Sequence, residues 1–228
     1  MSDELILVVE DEEDIRELLA YNLTREGFRV AAAESGELGL EIARQESPDL
    51  IVLDLMLPGM NGIEICRKLK AESQTQRIPV IILTARGEEE DIVAGFAAGA
   101  DDYVTKPFSP RVLIARVGAN LRRKAILAPG SETVLRYYEL NVHPGRHEVR
   151  VGHTPVNLTH TEFRILHYLM SRPGWVFTRN QIVRAVHGDD YPVTGRSVDV
   201  QIAALRKKLA GAGHFIQTVR GVGYKLGD

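Results

Sequence analysis

Five short apolar runs in the first half of the chain restrict its fold more than any other feature. They are LILVV (Leu5–Val9), FRVAAA (28–33), DLIVLDL (49–55), PVIILTA (79–85) and DYVTK (102–106). Stretches such as LIVL and VIIL contain no polar residue, which suits strands covered on both faces. After the first run, Ile15, Leu18, Leu19 and Leu23 recur at helical spacing, with Gly27 placed to end that helix and Ser35 to cap the next. Strand and helix alternating five times predict a doubly wound five-stranded parallel sheet with right-handed crossovers.

The pattern changes near residue 125. Residues 125–131, with Pro129 and Gly130, read as a linker between a domain over 1–124 and one over 132–228. Strands are expected at 136–142, 148–151 and 156–158, followed by three helices. Thr159 with Glu162 and Thr178 with Gln181 fit capping boxes at the first two. The third, 196–209, lines up Val198, Ile202, Leu205 and Leu209 on one stripe. Residues 215–226 read as a hairpin turning at RGVG. Helices followed by a hairpin suggest a smaller α+β domain, a winged helix-turn-helix.

Charge divides the chain in the same place. Residues 1–124 hold 15 basic and 23 acidic side chains, whereas 125–228 hold 13 and 8 together with all seven histidines. This asymmetry points to two domains with different partners, nucleic acid for the basic one. The apolar runs are strand-sized, so no membrane span is expected. No signal-peptide pattern opens the chain, and a cytoplasmic protein is the natural reading. The single Cys66 excludes an intrachain disulfide and reads as a small buried hydrophobe.

In open parallel sheets, ligands bind beyond the carboxyl ends of the strands. Those ends carry Glu10 and Asp11, Asp54, Thr84 and Lys106. Three converging carboxylates repel one another unless a cation joins them, and oxygen ligands with water favour Mg²⁺. Lys106 adds a positive charge and Thr84 a hydroxyl donor, which together are the parts for phosphoryl transfer to a carboxylate. A lone aspartate at a strand end is usually a cap or turn residue; five compatible groups at four strand ends are not explained that way.

The segments VVEDEEDIRELL, DLIVLDLMLPGMNGIE, PVIILTAR and GADDYVTKPF closely resemble the receivers of two-component response regulators. That resemblance implies a CheY-like (flavodoxin-like) fold in which Asp54 accepts a phosphoryl group from a sensor histidine kinase. It implies that Glu10, Asp11, Asp54 and the carbonyl of Met56 hold Mg²⁺, and that Lys106 and Thr84 engage the phosphoryl oxygens. Tyr103 matches an aromatic switch, and Lys106–Pro107 matches a cis peptide. GEEEDIVAGF and GADDYVTKPFSP narrow the resemblance to the OmpR/PhoB subfamily, near its phosphate-regulon members.

In the basic half, the side of 196–209 opposite its apolar stripe holds Arg196, Val200, Ala203, Ala204 and Lys207, flanked by Ser197, Gln201 and Arg206. Periodicity alone leaves a solvated amphipathic helix open beside a DNA-reading one. LTHTEFRILHYL, SVDVQIAALRKKL and IQTVRGVGYKL resemble the winged-helix effector of the same subfamily, which implies binding to double-stranded DNA at tandem half-sites. By that resemblance, Arg220 reaches a minor groove, while Arg196, Arg206, Thr218 and Tyr224 match backbone contacts. Ala203 and Ala204 depart from it, standing where phosphate-regulon members carry two arginines, and His187 stands where tryptophan is common. The sequence preference of those members therefore does not carry over.

The resemblance also implies receiver pairing through the fourth helix, fifth strand and fifth helix. Phe96 and Ala115 match its apolar patch, and Asp102 with Arg116 matches one intermolecular bridge. Ile92 and Val112 replace a second bridge by apolar groups. The overall expectation is a non-enzymatic, phosphorylation-promoted homodimer that binds promoter DNA, with RNA polymerase as a further partner. A Mg²⁺-dependent phosphatase is the rival reading, but such enzymes carry an acid two residues after the nucleophile, and Met56 stands there. A pure interaction module with a degenerate DNA-binding half is the third.

Overall fold

The computed structural model describes residues 3–85, 89–126, 134–188 and 195–227. The chain divides into two compact units, Met1–Arg123 and Lys124–Asp228.

The first unit alternates β1 (Leu5–Val9), α1 (Glu13–Arg25), β2 (Arg29–Ala33), α2 (Gly36–Glu46), β3 (Leu50–Asp54), α3 (Gly62–Ala71), β4 (Val80–Thr84), α4 (Glu89–Ala97), β5 (Asp102–Thr105) and α5 (Pro110–Ile126). All strands are parallel in the order β2-β1-β3-β4-β5, the expected doubly wound sheet. The three strands read as continuous apolar runs, β1, β3 and β4, are buried along their whole length. Alternate residues serve opposite faces. Ile6, Val8, Leu50, Val52, Ile81 and Leu83 join Leu19 and Leu23 of α1 and Leu113, Val117 and Leu121 of α5 in one core. Each such aliphatic contributes about 1.5–3 kcal/mol by leaving water. Leu18, expected on the buried stripe of α1, is instead 46% exposed. Ser35 does cap α2, its hydroxyl accepting from the Leu38 amide at 3.3 Å.

A buried ion pair that the sequence did not announce ties α3 to the start of β5. Lys70 Nζ donates to Asp101 Oδ2 at 2.7 Å and to the Ile78 carbonyl at 2.7 Å, with side-chain exposures of 4% and 1% for the charged pair. Asp101 Oδ2 also accepts from the Val80 amide at 2.9 Å. Cys66 is buried, as expected, and burial pushes its thiol up to about 12.

The second unit opens with an antiparallel sheet of β6 (Leu135–Tyr137), β7 (Leu140–His143), β8 (Glu148–Val151) and β9 (Thr154–Val156). The single strand expected over 136–142 is thus two strands, broken at Tyr138, whose φ of 49° turns the chain. The strand expected over 156–158 lies earlier, at β9, because residues 157–159 lead into the cap of the next helix. Then come α6 (His160–Met170), β10 (Phe177–Thr178), α7 (Arg179–His187), α8 (Gly195–Lys208), β11 (Ile216–Val219) and β12 (Gly223–Leu226). Both capping boxes form, at Thr159 with Glu162 and at Thr178 with Gln181. Val198, Ile202, Leu205 and Leu209 are buried together with Phe163, Leu166, Leu169 and Ile182. The hairpin β11–β12 turns at 220–222, where Gly221 has φ 74°. Helix α5 continues through Ile126, so the expected linker begins inside a helix, and its residues 127–131 lie outside the described ones.

Candidate phosphoacceptor pocket and DNA-binding face

Parallel pairing places the ends of β1, β3, β4 and β5 side by side, and the chemistry sits just beyond them. Asp54 is the last residue of β3 and Thr84 the last of β4, while Glu10 and Lys106 each follow a strand by one residue. The loop after β3 folds back tightly onto its own strand. The Gly62 amide donates to the Leu55 carbonyl at 3.2 Å, and a Cβ on Gly62 would collide with the Asp54 carbonyl oxygen and lie 2.7 Å from Leu55 Cα. Met56 is exposed in that loop. The Lys106–Pro107 peptide is cis.

Oxygens of Glu10, Asp11 and Asp54 lie within 4.8 Å of one another. Glu10 and Asp54 are buried, at 0% and 1% exposure. Lys106 Nζ lies 3.0 Å from Asp54 Oδ2, 3.0 Å from Glu10 Oε1 and 2.8 Å from Glu10 Oε2. One ammonium against three carboxylates leaves an excess of negative charge, and Asp54 Oδ1 is buried with no hydrogen-bond partner among the described residues. A buried, unsatisfied carboxylate oxygen is costly unless a cation or donor completes it. These oxygens suit a hard divalent ion that retains several waters. Thr84 is fully buried and shares a side-chain hydrogen bond with Tyr103, which is 8% exposed. Burial also raises the Tyr103 phenol above its ordinary value.

Electrostatics record the crowding. Burial pushes Glu10 up to about 7, and the Asp54 charge adds to the effect although Lys106 opposes it. Burial would depress Lys106, but its bonds to Glu10 and Asp54 outweigh that and hold it above the ordinary lysine value. Between the unfolded glutamate value and about 7, the folded, metal-free chain therefore holds a proton that the unfolded chain has released. Stability of that unit then falls as pH rises through this window, by up to about 1.4 kcal/mol per pH unit. Hydrogen exchange of the buried β1 and β3 amides between pH 5 and 7.5 checks this, and Glu10→Gln is expected to flatten the slope. No histidine of this chain precedes residue 143, so none in the first unit confounds the measurement.

The second unit presents a different surface. Arg196, Ala203 and Lys207 on α8 are exposed, as is Arg220 in the hairpin turn, while Val200 and Ala204 are half-buried. Ser197 and Gln201 do not flank an exposed face as expected: they are buried, at 1% and 4%, because α8 is covered over a wider arc than its apolar stripe alone. Tyr224 is buried too, its hydroxyl donating to Asp199 Oδ1 at 2.6 Å and its ring in cation–π contact with the guanidinium groups of Arg179 (5.1 Å) and Arg206 (5.6 Å). Arg206 donates through Nη2 to the Ile216 carbonyl at 2.6 Å and to Thr218 Oγ1 at 2.8 Å. Arg179 Nε meets Asp199 Oδ1 at 2.6 Å. Arg206, Thr218 and Tyr224 thus clamp the hairpin to α8, and sequence reasoning missed Arg179 and Asp199 in this network. His187 is buried at 5%.

The expected pairing face departs from its pattern in two places. Phe96 is buried, at 3%, and does not form an exposed patch. Arg116 Nη1 bonds Asp102 Oδ1 within the chain at 3.0 Å, and Asn120 Nδ2 takes Asp102 Oδ2 at 3.1 Å. Asp102 is 1% exposed, so within this chain its carboxylate is occupied by these two partners. Val112 is 48% exposed, Ala115 exposed and Ile92 half-buried.

A carboxylate pocket with a lysine at the ends of a doubly wound sheet, joined in one chain to a winged helix, defines a phosphorylation-responsive DNA-binding regulator. Residues 6–118 match the response regulator receiver domain, and residues 153–226 match the C-terminal domain of transcriptional regulatory proteins. The phosphate regulon transcriptional regulatory protein PhoB of Escherichia coli (strain K12) is 46% identical over 97% of this chain and 96% of its own length. Its counterpart in Rhizobium meliloti (strain 1021) is 49% identical over 97% of each chain. The solved structure of a RitR variant superposes with a TM-score of 0.81 at 29% identity, covering 99% of both chains. DrrB, a Thermotoga maritima OmpR/PhoB homologue, gives 0.52 at 33% identity over the full length of both. The chain belongs to the OmpR/PhoB family of two-component response regulators. A receiver of this class takes its signal from a histidine kinase, and its C-terminal domain binds DNA. Among the described residues, no helix is long and apolar enough to cross a membrane.

Proposed function

We propose that Asp54 is the phosphoacceptor of a receiver spanning 1–124, joined through the end of α5 and the residues up to 131 to a winged-helix effector spanning 132–228. The observation that carries this reading is the buried Asp54 carboxylate, with Oδ2 on Lys106, Oδ1 without a hydrogen-bond partner among the described residues, and an oxygen within 4.8 Å of those of Glu10 and Asp11. Glu10, Asp11, Asp54 and the Met56 carbonyl would hold Mg²⁺. When bound, that ion offsets charge on the carboxylates and on the incoming phosphoryl oxygens. An Asp54 oxygen attacks phosphorus as the bond to the kinase histidine breaks. Lys106 turns from the Asp54 and Glu10 carboxylates to the phosphoryl oxygens, and the Thr84 hydroxyl leaves Tyr103 to donate to one of them. The switch is a shift between two arrangements of Thr84 and Tyr103. The protein turns over no external substrate, since no acid stands at Met56 to serve as general acid/base. Incubation with Mg²⁺ and acetyl phosphate, followed by intact mass spectrometry, tests the reading: one phosphoryl adduct is expected, and none without Mg²⁺.

Phosphorylated receivers pair through α4, β5 and α5, and the two effectors engage tandem DNA half-sites in the cytoplasm, where RNA polymerase is the further partner. Arg196, Lys207 and Arg220 are the exposed cations for phosphate and groove contacts, and Val200 and Ala204 offer apolar surface to thymine methyls. Arg206, Thr218 and Tyr224 act by holding the hairpin against α8. Ser197 and Gln201 support α8 from beneath rather than touching bases. At the pairing face, Ile92 and Val112 make a hydrophobic contact where relatives place an ion pair. Exposed ion pairs contribute about 1 kcal/mol or less, so the exchange leaves the dimer intact. Ile92→Lys is expected to abolish acetyl-phosphate-driven dimerisation in analytical ultracentrifugation; an undiminished dimer would count against this face.

A further inference from the structure

Arg16, the fourth residue of α1, lies outside every role assigned so far. Its Nη1 donates to the Glu10 carbonyl at 2.8 Å and to the Asp11 carbonyl at 2.9 Å. In extended chain, successive side chains and successive carbonyls point opposite ways. Glu10 and Asp11 are consecutive, yet their carboxylates reach the same cluster with Asp54. The backbone must therefore leave strand geometry at this point, and β1 does end at Val9. A single nitrogen accepted by both carbonyls is the complement of that bend: the carbonyls converge on one side while the carboxylates converge in the pocket.

Local preference does not put Arg16 there. A cation in the first turn of a helix meets the positive end of the helix dipole, which disfavours it by a few tenths to about 1 kcal/mol. Helical side chains do lean toward the N-terminus, so the arginine stem is aimed at residues 10 and 11. A residue held against its local electrostatic preference, with both bonds spent on the two pocket acids, marks a supporting function.

We infer that Arg16 is a positioning residue, which fixes the peptide planes of Glu10 and Asp11 so that both carboxylates are preset for the divalent cation. This rests on the pocket reading given above. It predicts an effect on cation affinity in the absence of any phosphoryl donor. Loss of such outer support typically costs 10–100-fold in metal affinity.

Isothermal titration of the full-length chain with Mg²⁺ tests the inference. Arg16→Met keeps the aliphatic stem and removes every donor; it is expected to weaken Mg²⁺ at least about tenfold. Arg16→Lys keeps one charged donor group and is expected to recover most of that loss. Thermal unfolding of the metal-free chains is expected to differ little among the three, separating positioning from folding. Should the methionine variant not fold, Arg16→Gln takes its place with the same expected weakening. Wild-type affinity in Arg16→Met, or in Arg16→Gln, overturns the inference while leaving the pocket reading standing. Failure of the wild-type chain to bind Mg²⁺ in a way that depends on Asp54 overturns both.

Discussion

Asp54→Ala is expected to yield no phosphoryl adduct with acetyl phosphate and Mg²⁺, and to lose donor-driven dimerisation and the accompanying gain in DNA retention. The carboxylate is the nucleophile of the proposed step, and no neighbour substitutes for it. Glu10 is engaged by Lys106 through both oxygens, and Asp11 lies just beyond β1 on another strand end. Tethering two effectors raises avidity by on the order of 10²-fold or more, so that much of the wild-type response to the donor should vanish. The substitution is not expected to unfold the chain. It removes one of three mutually repelling carboxylates and leaves Lys106 with Glu10, so the metal-free variant should be at least as stable as wild type. Loss of response together with undiminished stability separates a functional acid from a structural one. Equal DNA affinity of the wild type with and without donor would refute the switch itself.

The largest expected loss of stability lies elsewhere, at Lys70 and Asp101. Asp101→Asn leaves a buried ammonium facing carbonyls alone, and breaking one partner of a buried pair costs about 3–5 kcal/mol. Lys70→Met in the same chain removes that stranded charge while conserving volume, and the side-chain amide introduced at position 101 would still offer an oxygen to the Val80 amide. The double variant is therefore expected to regain most of the loss. Urea unfolding of the two single variants and the double variant yields the coupling directly. A double variant as unstable as Asp101→Asn would show that the carboxylate serves the Val80 amide more than the lysine.

The receiver was legible in sequence because its signals are local and redundant. Apolar runs buried on both faces mark β1, β3 and β4, and the acids stand at the ends of the first two. Glu10, Asp54 and Lys106 could be brought together on paper by strand order alone. Arg16 could not, because an arginine near a helix start is indistinguishable from a solvated one until its carbonyl partners are known. Lys70 and Asp101 are separated by 31 residues and look like ordinary surface charges. In the effector, helical period identified the buried stripe of α8, but it says nothing of how wide an arc neighbours cover. The burial of Ser197 and Gln201 is not legible in the period for that reason. The break at Tyr138 is invisible in sequence because positive φ at a non-glycine residue leaves no pattern there.

In the receiver pairing proposed above, Val112 and Ile92 would also bear on which chains this one refuses. A cell that carries several related regulators presents each receiver with faces of nearly the same shape. A relative that keeps the ion pair would set a charged side chain against Val112 or Ile92, where water is excluded and no counter-charge waits. The mixed pair then suffers a desolvated charge that neither homodimer contains, so discrimination arises from the mismatch rather than from tighter self-association. By this account two apolar side chains on one face act as insulation between parallel signalling circuits.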